Sequence, residues 1–202
     1  MSRSGLAYRL DRSSRRRNDL VVGGLVCALA ISAAATSVLT APGYRGLLGA
    51  LLALVMLAIS VIDARQFIIP DTLTATALGL ALVNAAVQDQ ETALAGIAVA
   101  VLRGTVLALC FLALRAVYHR IRGRQGIGLG DVKLAGVAGA WLEWTTVPIA
   151  IEIAALVALA TIVIRQRARG RPLRAAGRLP FGLFLAPAIW LGWLLEVTLL
   201  AS

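Results

Sequence analysis

The stretch "GLLGALLALVMLAISVIDARQFIIPD", residues 46–71, decides the fold of this chain. Its first seventeen residues, Gly46 to Ile62, carry no charge, and about 17 apolar residues is the lower limit for a helix that crosses a bilayer. Asp63 ends this run, and a loop that closes in Pro70 and Asp71 precedes the next apolar run. The stretch therefore predicts a membrane-spanning helix that ends in a carboxylate.

Further apolar blocks follow the same plan, and the chain as a whole is 59% hydrophobic, above the level of about 45–50% in soluble domains. The blocks are residues 20–40, 46–62, 72–88, 93–118, 132–145, 148–164 and 181–200. We predict an all-α transmembrane helix bundle of about seven spans. The fifth block is short and the turn before the sixth is weak, so one bent hairpin there, giving six spans, also fits.

The basic residues indicate how the chain lies in the membrane. If the N-terminus is cytoplasmic and the spans alternate, 18 of the 20 basic residues fall on the cytoplasmic side, while Asp89, Glu91 and Glu143 fall outside. This bias is typical of integral membrane proteins. We expect a multi-pass protein of the inner (plasma) membrane, and we assign the net charge of +10 to topology and contact with anionic lipids, not to nucleic acid.

The chain divides into two parts by composition. Residues 1–19 are polar and basic without an apolar period, and we expect a disordered cytoplasmic tail. Residues 20–202 form one transmembrane domain. A secretory signal is the competing interpretation of the N-terminus, but the first apolar block has the length of a span and six more blocks follow.

Two carboxylates stand at the predicted cytoplasmic edge. Asp63 ends the second span, and Asp131 opens the fifth span in "GIGLGDVK", residues 126–133. Ionisable groups this close to hydrocarbon are costly and usually have a function. Two aspartates brought together share a proton, so that one can act as base on a water while the other polarises a carbonyl. The alternatives are a helix N-cap for Asp131 and an interfacial partner of Arg65 for Asp63.

These stretches carry a resemblance to a known family. "VIDARQFIIPD" and "GLGDVKL" closely resemble the two motifs of the prepilin peptidases, or type IV leader peptidases, which are membrane aspartyl proteases with a GxGD signature. The resemblance implies that Asp63 and Asp131 are the catalytic pair. A third family element, Pro-Phe-Gly-Pro, is present in part, with Leu183 in place of its second proline. The residues expected to support the site are Pro70, Asp71, Gly128, Gly130, Lys133, Pro180 and Gly182.

The resemblance covers residues 46–200 and implies a specific activity. Residues 20–202 would be a peptidase domain that cleaves the basic leader from type IV pilin-like precursors, prepilins or pseudopilins, at the cytoplasmic membrane edge. The resemblance also implies that the protein acts beside pilus or secretion machinery and that it needs no cofactor. Many bacterial members carry a CxxC insert linked to N-methylation, and because no CxxC occurs here we expect the short, peptidase-only form.

Several side chains invite local predictions. Gly126, Gly128 and Gly130 would make room for a substrate backbone and permit positive φ. Lys133 would either extend to the interface or act electrostatically on the aspartate pair, and Asp71 would cap the third span. Helix dipoles favour a negative charge on Asp131, at a helix N-terminus, over one on Asp63, at a C-terminus.

The cysteines carry no metal-site pattern. Cys27 and Cys110 lie far apart in apolar blocks, and we expect small packing residues and no metal site.

Two other classes of function remain open from the residues alone. Arg103 and Glu152 are charges inside the fourth and sixth spans, and we expect them to pair because a lone buried charge is expensive. Such a pair could line the path of a small membrane transporter or channel component, although the two halves show no inverted repeat. An inactive assembly factor of a pilus or secretion system is the other alternative, and the presence of both aspartates argues against it.

Overall fold

The computed structural model describes residues 3–88, 92–123, 126–168 and 180–200, with side chains from residue 20 to residue 199. The described residues form seven α-helices and no strand, which confirms the predicted all-α bundle. The helices are α1 (Arg3–Thr40), α2 (Tyr44–Gln66), α3 (Asp71–Gln88), α4 (Ala93–Arg122), α5 (Leu129–Trp141), α6 (Thr146–Ala168) and α7 (Gly182–Leu195). A turn of π-helix, Glu196–Leu200, continues α7.

Five segments are long and apolar enough to cross a membrane, so the chain is a multi-pass membrane protein. They are Leu20–Thr40, α2, α4, α6 and Gly182–Leu199. The other two helices, α3 with 18 residues and α5 with 13, are not among these segments. At 1.5 Å per residue α5 is only about 20 Å long, less than the thickness of a hydrocarbon core. It lies outside the five spanning segments.

The predicted disorder of residues 1–19 is wrong for most of that segment, because α1 begins at Arg3. Leucine, alanine and arginine are good helix formers, and no proline interrupts residues 3–19. Extending a helix that the apolar block has already nucleated costs much less than starting one. Other residues used in the orientation prediction lie outside the described residues: Asp89, Glu91, Arg124, Arg169, Arg171, Arg174 and Arg178.

Four helices form a closed ring in the centre of the bundle. Each of α2, α3, α5 and α7 packs against two others of this set, while α1 covers α2, α4 covers α3 and α5, and α6 covers α7. The hydroxyl of Tyr44, at the start of α2, donates to the carbonyl oxygen of Val87, at the end of α3, over 3.1 Å. Helices α2 and α3 are therefore antiparallel. The contacts of Asp63 with Leu183 and of Lys133 with Asp71 place the end of α2 with the starts of α3, α5 and α7. We call this the aspartate end and the opposite one the far end.

Glycines bring the ring helices and their covers into close contact. A Cβ on Gly139 of α5 would lie 2.6 Å from the carbonyl oxygen of Arg103 in α4, and one on Gly49 of α2 would enter the ring of Trp193 in α7. Helix association in lipid depends on such close approach, because lipid tails are as apolar as the side chains. Helix α5 is consequently enclosed, and most of its residues after Asp131 are buried.

The two cysteines do not pack in this core. Cys27 on α1 and Cys110 on α4 are both exposed, so the expectation of buried packing positions is wrong. Both helices lie on the outside of the ring, where one face of each meets lipid.

The glycine contact between α4 and α5 makes a testable prediction. Gly139→Ala places a methyl group against a backbone carbonyl that cannot rotate away, and we expect it to lower the free energy of unfolding by about 1–3 kcal/mol. Gly79→Ala in α3 is the matched control, since nothing lies within 4 Å of its Cβ position. There the higher helix propensity of alanine should leave stability unchanged or raise it. Thermal unfolding of both variants in detergent checks the opposite signs.

Candidate active site

Asp63 lies in the last turn of α2 and is 4% exposed. The helix ends at Phe67, whose N–H donates to the carbonyl oxygen of Asp63 over 2.9 Å and whose φ is 55°. This left-handed conformation is uncommon for a residue other than glycine. It turns the chain sharply into the loop that leads to α3, and it leaves Phe67 and Ile68 exposed beside the aspartate.

The N-terminus of α7 holds the Asp63 carboxylate. The N–H of Leu183 donates to Oδ2 of Asp63 over 2.9 Å, and Gly182 donates a second backbone hydrogen bond. A Cβ on Gly182 would lie 2.8 Å from the same oxygen, so only glycine allows this approach. The first N–H groups of a helix have no partner within the helix and favour an anion. Gly182, one of the residues expected to support the site, thus lies against the Asp63 carboxylate, and Pro180 precedes it by two residues.

Asp131 lies in the first turn of α5 and its Oδ2 accepts the N–H of Gly128 over 3.1 Å. Gly128 is the N-cap residue, with φ −72° and ψ 152°, and Asp131 reaches back to it from three residues inside the helix. This is the carboxylate half of a capping box. The alternative in which Asp131 is itself the N-cap residue is therefore wrong, because the N-cap is Gly128, three residues earlier.

Ile69 connects the two aspartate motifs. Its side chain is 8% exposed and packs between the start of α5 and the start of α7. A Cβ on Gly130 would lie 3.0 Å from Cβ of Ile69, and one on Gly182 would lie 2.7 Å from its Cδ1. The loop after Asp63 therefore packs directly on the residue that precedes Asp131.

The glycines of the second motif serve close approach and not unusual backbone angles. Gly126, Gly128 and Gly130 are absent from the glycines with positive φ, which in the described residues are Gly43 and Gly123. The expectation of positive φ in this motif is wrong, because α5 starts directly after an extended Gly128.

The charge environment of Asp131 reflects both burial and its partner. Burial raises the pKa of Asp131, the hydrogen bond from Gly128 opposes this, and the negative charge of Asp63 raises the pKa further. The two carboxyl groups are therefore electrostatically coupled. The prediction that Asp131 is the ionised member rested on Asp63 facing only a helix C-terminus. The N-terminus of α7 at Asp63 removes that argument.

Lys133 and Asp71 form an ion pair between α5 and α3, with 2.5 Å between Nζ and Oδ1. Lys133 therefore does not extend freely to the interface. The expectation that Asp71 caps the third span is also wrong, because Asp71 is the first residue of α3 and its side chain binds the lysine. Their side chains are 49% and 77% exposed, so the pair adds little stability. It does tie the start of α3 to the turn that carries Asp131.

The loop before α5 is fastened to α4 by two residues that the sequence did not single out. Nη1 of Arg115 donates to the carbonyl oxygen of Ile127 over 2.8 Å. Gly126 lies against the ring of Tyr118, where a Cβ would come within 2.3 Å of a ring carbon. Both residues lie in the second half of α4, where the sequence has no distinctive local pattern, so only the packed structure identifies them.

The predicted pair of Arg103 and Glu152 does not form. Arg103 makes an ion pair with Glu143, in the turn between α5 and α6, and Glu152 is exposed on α6. The reason is that α4 packs on α5, whereas α6 packs on α7 on the other side of the ring.

Metal ligands are not grouped at the site. In the described ranges no three residues of the types histidine, cysteine, aspartate and glutamate come together as a metal site. What the aspartate end offers is two carboxyl groups from different helices, each held by backbone N–H groups.

The fold and these motifs define a multi-pass helical membrane protein with two aspartates, Asp63 and Asp131, at one end of its central ring. Residues 50–163 match the model of the type IV leader peptidase family. The match covers more than half of the chain, and the chain belongs to this family. It includes Asp63 and Asp131 and ends before α7.

Curated relatives agree with this assignment. The chain is 30% identical over 169 residues to the prepilin leader peptidase/N-methyltransferase of Aeromonas hydrophila, covering 82% of this chain and 55% of that protein. The proteins of the same name from Burkholderia pseudomallei and Dickeya chrysanthemi are 38% and 35% identical over 132 and 161 residues. These alignments cover 65% and 77% of this chain and 40% and 53% of the relatives. The chain thus spans about half the length of these relatives, and no solved structure matches it.

Because burial raises the pKa of Asp131, replacing this residue should change the thermal stability of the protein. The carboxyl group of the unfolded chain ionises near pH 4, whereas the folded one ionises at higher pH. As pH rises through the folded-state pKa, the native state therefore loses stability. We expect Asp131→Asn to unfold at a higher temperature than the parent at neutral pH, with the difference vanishing below about pH 4. Glu152→Gln, an exposed change on α6, is the control, and an Asn variant that is less stable at neutral pH would contradict the prediction.

Proposed function

We propose that this protein is an aspartic-type endopeptidase that removes the basic leader from prepilin-like precursors, with Asp63 and Asp131 as its catalytic pair. One observation carries the proposal: Ile69 packs the loop after Asp63 onto the turn that carries Asp131, in a chain of the type IV leader peptidase family. The names of the relatives supply the substrate class. Methyl transfer, the second activity in those names, is not part of the proposal.

The two carboxyl groups would work as one acid–base unit. With a single shared proton, the ionised aspartate removes a proton from a water, and the water oxygen bonds to the carbon of the scissile carbonyl. The protonated aspartate gives its proton to the carbonyl oxygen. As the tetrahedral intermediate collapses, one of its hydroxyl protons returns to the aspartate that had protonated the carbonyl oxygen, the C–N bond breaks, and the proton taken from the water leaves with the amine. Neither step needs a metal or a nucleophilic serine.

The supporting residues suit an extended peptide at the membrane edge. Gly128 leaves backbone exposed beside Asp131, Gly130 makes room for Ile69, and Lys133 and Asp71 hold the two helix starts together. Phe67 and Ile68 are 55% and 60% exposed next to Asp63. These apolar side chains would receive the first residues of the apolar helix that follows the cleavage site, and Pro70, Pro180 and Gly182 fix the two loops around it.

The membrane orientation follows the basic residues. We propose an inner-membrane protein with a cytoplasmic N-terminus, which puts the aspartate end at the cytoplasmic edge of the bilayer. A precursor would then present its leader in the cytoplasm and its apolar helix in the membrane, at the same depth as the aspartates. The pilus or secretion machinery that receives the product would be a further partner.

The two alternatives are distinguishable by one assay. The main argument for a transporter path was the expected pair of Arg103 and Glu152, and this pair does not form because Arg103 pairs with Glu143. Co-expression with a candidate prepilin, followed by a gel shift for loss of the leader, separates a peptidase from a transporter or an inactive assembly factor. Only the peptidase shortens the precursor.

Removal of either carboxyl group should abolish cleavage. We expect Asp63→Asn and Asp131→Asn each to lower kcat by about a thousandfold or more, because general acid–base catalysis contributes about 10²–10⁴-fold and each variant disables the shared unit. Cleavage of a purified precursor by purified enzyme measures this, with Glu152→Gln as the control of unchanged activity. Near-parental turnover of either Asn variant would end the assignment of the pair.

The N–H of Leu183 should contribute to catalysis through Asp63. Leu183→Pro deletes this donor in the first turn of α7, where proline is compatible with a helix. A hydrogen bond to a charged group contributes about 1.5–3 kcal/mol, so we expect kcat to fall by about 10–100-fold with little change in KM. Leu183→Ala keeps the N–H and is the matched control; equal losses in both variants would show that the side chain matters and the donor does not.

A further inference from the structure

A second polar cluster lies at the far end of the ring, away from the aspartates. The buried guanidinium of Arg103, on α4, pairs with Glu143 through Nη1 and Oε2. The N–H of Glu143 donates to Oε1 of Glu196 over 2.6 Å. We call Arg103, Glu143 and Glu196 the latch. It draws together α4, the turn after α5 and the end of α7.

The latch sits where α5 and α7 both end. Glu143 is two residues past the end of α5, and Glu196 is the first residue past the end of α7. The two helices run in the same direction and have nearly equal lengths, 13 and 14 residues. At 1.5 Å per residue each is about 20 Å long, so both reach from the aspartate end to the latch.

The same two helices hold the two aspartates. Helix α5 carries Asp131 in its first turn, and the first N–H groups of α7 hold Asp63. A slide of α7 along α5 would therefore move the N–H groups that bind Asp63 relative to Asp131. Helix α7 is continuous from Gly182 to Leu195, with Pro187 inside it, so the hydrogen bond between Glu143 and Glu196 restrains this slide from the far end.

Two further contacts make α5 the fixed member. Nε1 of Trp141, in the last turn of α5, donates to the carbonyl oxygen of Ala77 in α3 over 2.9 Å. Gly139 lies against the backbone of Arg103, so α4 and α5 cannot shift past each other without a clash. The carboxylate of Glu196 is therefore a polar contact that sets the position of α7 against α3, α4 and α5, in addition to the packing of Gly192 on Leu142.

A cavity of about 270 Å³ beside the latch is lined by Asn84, Gln88, Arg103, Glu143 and Glu196, among others. Asn84 is 5% exposed and Arg103 is 6% exposed. Oδ1 of Asn84 and Nε of Arg103 have no hydrogen-bond partner in the described part of the chain. A polar cavity of this size admits water, which can complete both atoms.

We propose that Arg103, Glu143 and Glu196 are positioning residues that set the axial register of α7 against α5 and thereby the spacing of Asp63 and Asp131. They act about 20 Å from the aspartates and touch no reacting group. The link to catalysis rests on the proposed function, whereas the register itself is independent of it.

Substitutions at Glu196 test the latch with a graded series. Glu196→Ala removes the acceptor, Glu196→Gln keeps an oxygen in its place, and Glu196→Asp keeps the charge but withdraws it by about 1.5 Å. We expect Ala and Asp to lower kcat by about tenfold or more with KM nearly unchanged, because small misplacements of catalytic groups are costly. Gln should retain most of the activity. Glu152→Ala, an exposed glutamate of α6, is the matched control.

A distance measurement separates the latch from the proposed activity. Spin labels on Arg65→Cys, at the end of α2, and Leu129→Cys, at the start of α5, report the spacing of the aspartate end; both positions are exposed. The exposed Cys27 and Cys110 are first replaced by alanine. We expect Glu196→Ala and Glu196→Asp to shift or broaden the distance distribution, and Glu196→Gln and Glu152→Ala to leave it unchanged.

The outcomes are distinct. An unchanged distance in both the Ala and Asp variants overturns the latch, whatever happens to activity. A shifted distance in a protein that cleaves no precursor, including the parent, supports the latch and rejects the peptidase function. If Glu196→Ala does not fold, the charge-retaining Glu196→Asp variant decides the question alone.

Discussion

The hydrogen bonds from the N-terminus of α7 to the Asp63 carboxylate are the contact on which the rest of this structure depends. A buried carboxylate is costly unless donors replace its water, and the first N–H groups of a helix are donors without other partners. Leu183 and Gly182 supply them here. Because a single carboxylate links the last turn of α2 to the first turn of α7, the two helices cannot separate without exposing it to lipid or leaving it unpaired.

The cost of burying polar groups without hydrogen-bond partners also explains where the other polar groups of the bundle lie. The ring of α2, α3, α5 and α7 has an apolar middle, with fully buried side chains such as Leu52, Leu134 and Ile189. Its charges are collected at its two ends, Asp63 and Asp131 at one and the latch at the other. In lipid, apolar surfaces gain little from association, so specific polar contacts and close glycine packing carry more of the specificity of the fold. The chain uses both between α2 and α7, where Gly49 lies against Trp193 and Leu183 donates to Asp63.

Membership of the type IV leader peptidase family explains why the two motifs occur together, and the structure explains why their residues have these chemical types. Gly130 and Gly182 are both pressed against Ile69, so a larger residue at either position would push the aspartate turns apart. Leu183, where the sequence departs from the expected proline, donates to Asp63 a hydrogen bond that proline could not make. A departure from the family motif thus adds a donor at the site.

The sequence by itself determined the apolar helices, their order and the candidate aspartates, because span length and motif spacing are local properties of the chain. It also located Pro180 and Gly182 near the site. It did not determine which charges meet: Arg103 pairs with Glu143 and not with Glu152, and Lys133 pairs with Asp71. Those choices depend on which helices are neighbours around the ring. Only the tertiary structure decided that α7 points its free N–H groups at Asp63, since residues 120 apart in the chain leave no local trace of their contact.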